Sequence, residues 1–108
     1  LSKTGGVTES IKIAAMASAN KLTINPHTSA TAINMGTTIH FLSAIDNPGY
    51  FEGDVTSLNP FRDEMMDKAA YELDSEGFVK PYDGIGIGMK INLDFVKDHP
   101  LIDGPCYV

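Results

Sequence analysis

The stretch LTINPHTSATAINMGTTIHFLSAIDNPGYFEGD, residues 22–54, decides the fold class of this chain. An apolar run at 22–26 is stopped by a proline, and a second run with aromatic residues occupies 49–54. Between the two runs, small and apolar residues follow helical spacing, so the stretch predicts strand, helix, strand. Strands that alternate with helices indicate an α/β fold with a parallel sheet and right-handed crossovers.

Both helices predicted in the first half have small, apolar faces. The first is predicted over residues 5–21, with Thr8 as its N-cap and Asn20 and Lys21 at its end. The second is predicted over residues 29–45. Its inner face would consist of Ala32, Met35, Gly36, Ile39, Leu42 and Ser43.

The regular spacing of apolar residues ends after residue 54. Residues 56–77 are polar and irregular, with one helical turn predicted around Arg62 to Lys68. Residues 78–100 predict a short strand, a glycine-rich bend, another strand and a short helix. We therefore divide the chain into a helix–strand–helix–strand segment at 1–54 and an irregular segment with a tail at 55–108.

Composition excludes some classes of partner. The 108 residues carry a net charge of −6, from eight basic and fourteen acidic side chains. An acidic chain lacks the positive surface that nucleic acids and anionic membranes require, and no run approaches transmembrane length. The one cysteine, Cys106, excludes an internal disulfide and reads as a small apolar residue. We expect a cytoplasmic setting.

Two polar residues lie at the C-terminal ends of the predicted strands, where functional groups collect in a parallel α/β sheet. His27 follows the first predicted strand and Glu52 ends the second. Adjacent parallel strands are about 5 Å apart, so both side chains can face one cavity. A histidine can move a proton near neutral pH, and a buried, protonated glutamic acid can donate a hydrogen bond to a developing oxyanion.

Simpler interpretations of these residues stay open. His27 would also suit a cap of the second helix, and Glu52 a solvated strand end, as in a non-catalytic α/β binding or assembly module. His40 and His99 read as structural or surface residues, and Asp54 as a turn residue. No P-loop, zinc-type Cys/His spacing or G-x-S-x-G motif occurs.

Residues 3–27, KTGGVTESIKIAAMASANKLTINPH, followed by a helix and GYFEGD, resemble the C-terminal part of the enolase superfamily, in the mandelate racemase subgroup. Residues 83–100, DGIGIGMKINLDFVKDHP, are similar to the segment in which that family's chain leaves its barrel for the capping domain. The resemblance implies the C-terminal portion of a (β/α) TIM barrel. Strand 7 would then be residues 22–26 and strand 8 residues 49–52.

The resemblance also implies roles for the two candidates. The residue matching His27 takes or returns a proton next to a substrate carboxylate, and the one matching Glu52 hydrogen-bonds that carboxylate as it becomes an enediolate. Mg²⁺ neutralises the enediolate in that family. We expect a small carboxylic-acid or sugar-acid substrate, with dehydration as the first hypothesis and racemisation or epimerisation as the alternative. A muconate-type lactonising activity fits less well, since that branch relies on lysines.

The resemblance also places several functional groups outside this chain. The family's histidine pairs with an aspartate in D-x-x-K-x-G-G, and here Lys3, Gly5 and Gly6 match while the aspartate would immediately precede Leu1. The magnesium ligands, lysine bases and specificity loops match no residue here. We expect them in preceding barrel and capping segments, and we expect the chain alone to be inactive. Open sheet edges favour a homo-oligomer.

Overall fold

The computed structural model describes residues 1–104, so Cys106 lies outside the described residues. This part of the chain contains four helices: α1 (Gly6–Ala19), α2 (Ala32–Ala44), α3 (Pro60–Asp63) and α4 (Leu93–Asp98). Two isolated β-bridges accompany them, a parallel one between Ile24 and Pro48 and an antiparallel one between Met66 and Ile91. None of these helices is long and apolar enough to cross a membrane.

In place of the strands predicted at 22–26 and 49–54, the described residues form a single parallel bridge between Ile24 and Pro48, and Pro48 lies just before the second predicted strand. Ile24 donates its backbone N–H to the Asn47 carbonyl at 2.9 Å, and Gly49 donates to the Ile24 carbonyl at 2.8 Å. The parallel direction is as predicted, but the strand lengths are wrong. A parallel strand extends when neighbours pair with both of its edges, and residues 1–104 provide this pair with no further parallel neighbour.

The start of α1 also differs from the prediction. Gly5 occupies the N-cap position with φ 97°, and no side chain caps the helix. Thr8 lies inside α1, so its predicted capping role is wrong. Glycine tolerates this left-handed conformation, which allows the helix to begin three residues before the start that a Thr8 cap would give. The predicted end is confirmed, because Asn20 is the C-cap residue.

Helix α2 carries the core of the molecule. Its cap is Thr31, whose Oγ1 accepts a hydrogen bond from the Asn34 backbone N–H at 3.1 Å. The predicted inner face is confirmed except at Ser43, which is exposed. The buried residues of α2 are Ala32, Met35, Gly36, Thr38, Ile39, Phe41 and Leu42.

Two apolar clusters pack against this helix. The first consists of Ala32, Met35, Met66, Ala70 and Met89. The second consists of Ala14, Phe41 and Leu42. Phe51 packs against both clusters, so the segment that carries Glu52 is held at the junction of the two. Gly36 lets the end of the glycine-rich bend pack closely against α2, because a Cβ at position 36 would overlap the Met89 side chain.

Candidate active site

His27 lies just after the parallel bridge and lines a cavity to which α1 and α2 both contribute residues. The cavity has a volume of about 300 Å³. Polar side chains that line it include Lys3, Ser10, Ser29 and Asn34, and its apolar wall includes Ile13, Ile24 and Phe41. A cavity of this size with a few polar groups on an apolar wall suits part of a small ligand.

The two candidate residues are in direct contact. His27 Nδ1 lies 2.7 Å from Glu52 Oε1. A carboxylate oxygen accepts hydrogen bonds, so a ring N–H at Nδ1 is the matching donor for this contact. With Nδ1 against Glu52, the other ring nitrogen, Nε2, faces away from the carboxylate.

The surroundings of Glu52 differ from the prediction in one respect. Its side chain is 56% exposed and that of His27 is 73% exposed, whereas a buried glutamic acid was expected. The residue lies at the rim of the described structure, where solvent reaches it. Exposed pairs contribute only about 0–1 kcal/mol, so the contact cannot by itself determine where the two loops lie.

The alternative role of His27 as a helix cap is wrong. Thr31 caps α2, four residues further along the chain. The loop between them is tied instead to the segment that carries Glu52. Thr28, which is 1% exposed, donates its hydroxyl hydrogen to the Glu52 carbonyl.

Asp54 is buried and belongs to a network that the sequence did not reveal in full. Its Oδ1 accepts the Thr56 backbone N–H at 3.0 Å, which is the predicted turn role, and its Oδ2 accepts from Asn59 Nδ2 at 2.6 Å. These two donors, with the nearby Arg62 guanidinium, lower the pKa of Asp54 below its ordinary value of 3.8. The Asp54 carboxylate is thereby stabilised in its charged form.

Arg62 completes the network and was not predicted as a site residue. Its Nη1 donates to the carbonyls of Asp54 at 3.0 Å and Thr56 at 2.9 Å. Its Nε and Nη2 donate to the Asp63 carboxylate at 2.6 and 2.8 Å. The available signal was Asn59–Pro60, since an asparagine cap followed by proline marks a helix start and places Arg62 within α3.

The other two histidines have structural surroundings, as predicted. His40 lies on α2, and His99 stacks on Phe95 with ring centroids 4.1 Å apart. His99 Nδ1 also donates to the Phe95 carbonyl at 2.8 Å, because a carbonyl only accepts.

A magnesium site is not formed by the described residues. Within residues 1–104, no group of three or more His, Cys, Asp or Glu side chains could hold a metal ion. The His27–Glu52 pair supplies two groups, and Mg²⁺ prefers several oxygen ligands in octahedral geometry. These residues therefore do not fit a complete magnesium site.

Residues 1–95 match the family model described as enolase C-terminal domain-like. The match covers most of the chain, and the chain belongs to this family of α/β, TIM-barrel-type domains. The resemblance to the C-terminal part of enolase-superfamily proteins is thereby confirmed.

Solved structures agree with the family assignment. An enolase superfamily member from Polaromonas sp. JS666 is 47% identical with a TM-score of 0.83, over 96% of this chain and 27% of that chain. A mandelate racemase-type protein from Bordetella bronchiseptica RB50 is 34% identical with a TM-score of 0.83, over 94% of this chain and 26% of that chain. An enolase of the mandelate racemase subgroup from Agrobacterium tumefaciens is 26% identical with a TM-score of 0.72, over 87% of this chain and 25% of that chain.

The chain thus spans about a quarter of the length of these proteins. No curated protein matches the chain.

Proposed function

We propose that this chain is part of a Mg²⁺-dependent enolase-superfamily enzyme that abstracts a proton next to a carboxylate. Residues 22–26 and 49–52 would supply strands 7 and 8 of the barrel, and residues 55–108 an irregular segment and the tail that returns to the capping domain. The observation that supports this proposal is the 2.7 Å contact between His27 Nδ1 and Glu52 Oε1 beside the parallel bridge. The metal ligands would come from other segments, and we assign the metal no step.

His27 would exchange the proton through Nε2, the nitrogen that faces away from Glu52. Glu52 would bind the substrate carboxylate through its second oxygen. In its protonated form, Glu52 would donate a hydrogen bond to the substrate carboxylate. That donor would stabilise the enediolate as negative charge moves onto the carboxylate oxygens.

A carboxylic acid is the substrate class that the relatives support. The Bordetella bronchiseptica protein is complexed with 2-oxoglutarate and phosphate. We propose a sugar acid as the substrate, with dehydration first and racemisation or epimerisation as the alternative. Polar residues around His27 suit a hydroxylated substrate, although two of them already have partners: Asn25 accepts from the Tyr50 backbone N–H and Thr28 donates to the Glu52 carbonyl. Ser29 and Asn34 line the cavity.

The test is proton exchange in the intact enzyme that contains this chain. We expect His27→Asn to lower deuterium incorporation at the α-carbon from D₂O by about 10²- to 10⁴-fold on one face. The measurement is NMR of a sugar-acid panel with Mg²⁺. His99→Asn is the matched control, because His99 packs against Phe95 away from this pair. Wild-type exchange on both faces in His27→Asn would remove this residue from the mechanism.

A further inference from the structure

A tyrosine from the irregular segment contacts the chain on both sides of Glu52. The Tyr71 ring packs edge-on against Phe51, with ring centroids 5.3 Å apart. Its Oη donates a hydrogen bond to the Asp54 carbonyl at 3.2 Å. Tyr71 therefore holds the residue immediately before Glu52 and the residue two positions after it.

Gly53 allows the tyrosine to come this close. A Cβ at position 53 would lie 2.7 Å from Tyr71 Oη and 2.8 Å from Tyr71 Cζ, which is closer than real Cβ atoms approach. A glycine often marks a place where another group lies against the backbone. The tyrosine ring thus lies directly on the backbone next to Glu52.

The groups that make these contacts are themselves held in place. Asp54 is buried, and its carbonyl also accepts a hydrogen bond from Arg62 Nη1 at 3.0 Å. Phe51 and Tyr71 both pack against the apolar cluster that contains Met35. The contacts join buried or partly buried groups of this chain alone, so they do not require segments outside it.

The side chain of Glu52 lacks such support, since it is largely exposed. Exposed polar contacts contribute only about 0–1 kcal/mol, so the position of the carboxyl group follows from the backbone that carries it. That backbone contacts Tyr71 at positions 51, 53 and 54.

We propose that Tyr71 is a positioning residue, which sets the place of the Glu52 backbone through its contacts with residues 51, 53 and 54. The consequence for catalysis rests on the proposed function, whereas the effect on the backbone does not. The irregular segment after residue 54 thereby supports the candidate active site directly.

The first measurement is a set of crystal structures of the intact protein, in the wild type and in two variants. Gly53→Ala inserts a methyl group against the Tyr71 ring. Tyr71→Leu removes the ring from Phe51 and the hydroxyl from the Asp54 carbonyl. We expect the Glu52 Cα to move by roughly 0.5–1 Å in each variant, which is the scale on which a site loses its geometry.

Tyr82 provides the matched control. It packs against the same apolar cluster as Tyr71, and its ring centroid lies 4.8 Å from Lys68 Nζ. Tyr82→Leu therefore removes an aromatic ring from that cluster at Lys68 and not at Glu52. It should lower the thermal stability much as Tyr71→Leu does, but leave the Glu52 backbone and kcat unchanged.

Kinetics of the intact enzyme test the consequence for catalysis. Gly53→Ala and Tyr71→Leu should each lower kcat by about 10- to 100-fold with little change in KM, since misplaced catalytic groups lose orientation. Tyr71→Phe keeps the ring, and Arg62 still donates to the Asp54 carbonyl, so this variant should retain most of kcat. The double variant Gly53→Ala/Tyr71→Leu should lose less than the product of the two single losses, because both changes act on one contact.

An unmoved Glu52 backbone in either folded variant would overturn the proposal. A displaced backbone with wild-type kcat, or an equal loss of kcat in Tyr82→Leu, would overturn it as well. Glu52→Gln separates this proposal from the proposed function. Normal turnover in Glu52→Gln would refute the role assigned to that carboxyl group, while the crystal structures would still decide whether Tyr71 positions its backbone.

Discussion

The ionisation of Asp54 makes the stability of the folded chain depend on pH. Its pKa is lowered, first by the Thr56 backbone N–H, then by the Asn59 side chain and also by the Arg62 guanidinium. A group whose folded pKa lies below its unfolded value stabilises the fold above the unfolded pKa. That contribution is lost as the pH falls through the folded pKa.

We predict that Asp54→Asn lowers the free energy of unfolding by about 1.5–3 kcal/mol at pH 7, the usual range for hydrogen bonds to a charged group. The same substitution should flatten the loss of stability below about pH 4. The measurement is denaturant unfolding at pH 7, 4 and 3 in wild type and variant.

Asp74 provides the comparison for this prediction. Its pKa is also lowered, mainly by the Phe78 backbone N–H, but its side chain is exposed. Asp74→Asn should therefore change the pH dependence less than Asp54→Asn does. Equal slopes below pH 4 in wild type and Asp54→Asn would contradict the assignment.

At the scale of elements, the two long helices begin in different ways. Thr31 caps α2 through its side chain, whereas α1 begins after Gly5 without a side-chain cap. The local sequence predicts Thr8 as the cap of α1, because threonine is a common cap residue. Which residue caps a helix depends on the backbone conformation just before it, and the left-handed Gly5 decides that here.

We predict that Thr31→Ala lowers the free energy of unfolding by about 1 kcal/mol, because the Asn34 N–H loses its acceptor. Thr8→Ala is the matched control. Thr8 is exposed within α1, where alanine has the higher helix propensity, so this change should be neutral or slightly stabilising. Thermal unfolding followed by circular dichroism checks both, and a larger loss for Thr8→Ala would restore the original cap prediction.

The predictions for helices and strands succeeded to different degrees for a physical reason. The periodicity of α2 predicted its buried face, because a helix makes its own backbone hydrogen bonds and its spacing alone selects the inner residues. The same reasoning located the parallel pairing at Ile24 but not its extent. Strand length depends on neighbouring strands, and their number is not encoded within the strand itself.

At the scale of the whole molecule, several large apolar side chains on and after α1 are exposed. Met16 is 70% exposed and Leu22 is 61% exposed. Relatives that are about four times as long contain the matching region. We propose that further barrel segments cover this surface in the intact enzyme, and association between copies of the chain stays a prediction.

We predict that the 108-residue chain alone does not turn over sugar acids in the presence of Mg²⁺. The described residues supply a candidate base and a candidate hydrogen-bond donor, but no group of three metal ligands. The measurement combines a turnover assay with titration calorimetry of Mg²⁺, and the intact enzyme serves as the positive control. Turnover by the isolated wild-type chain above that of the isolated chain with His27→Asn would refute this prediction.

The sequence by itself determined the main helices, the parallel direction of the strand pair, the family, and His27 and Glu52 as candidates. These features follow from local periodicity or from a contiguous motif. Only the tertiary structure decided that the two side chains touch, that Glu52 is exposed, and that Tyr71 holds the chain on both sides of Glu52. The hydrogen-bond partners in these contacts lie 25 and 17 positions apart, and such distances depend on how loops pack rather than on local spacing.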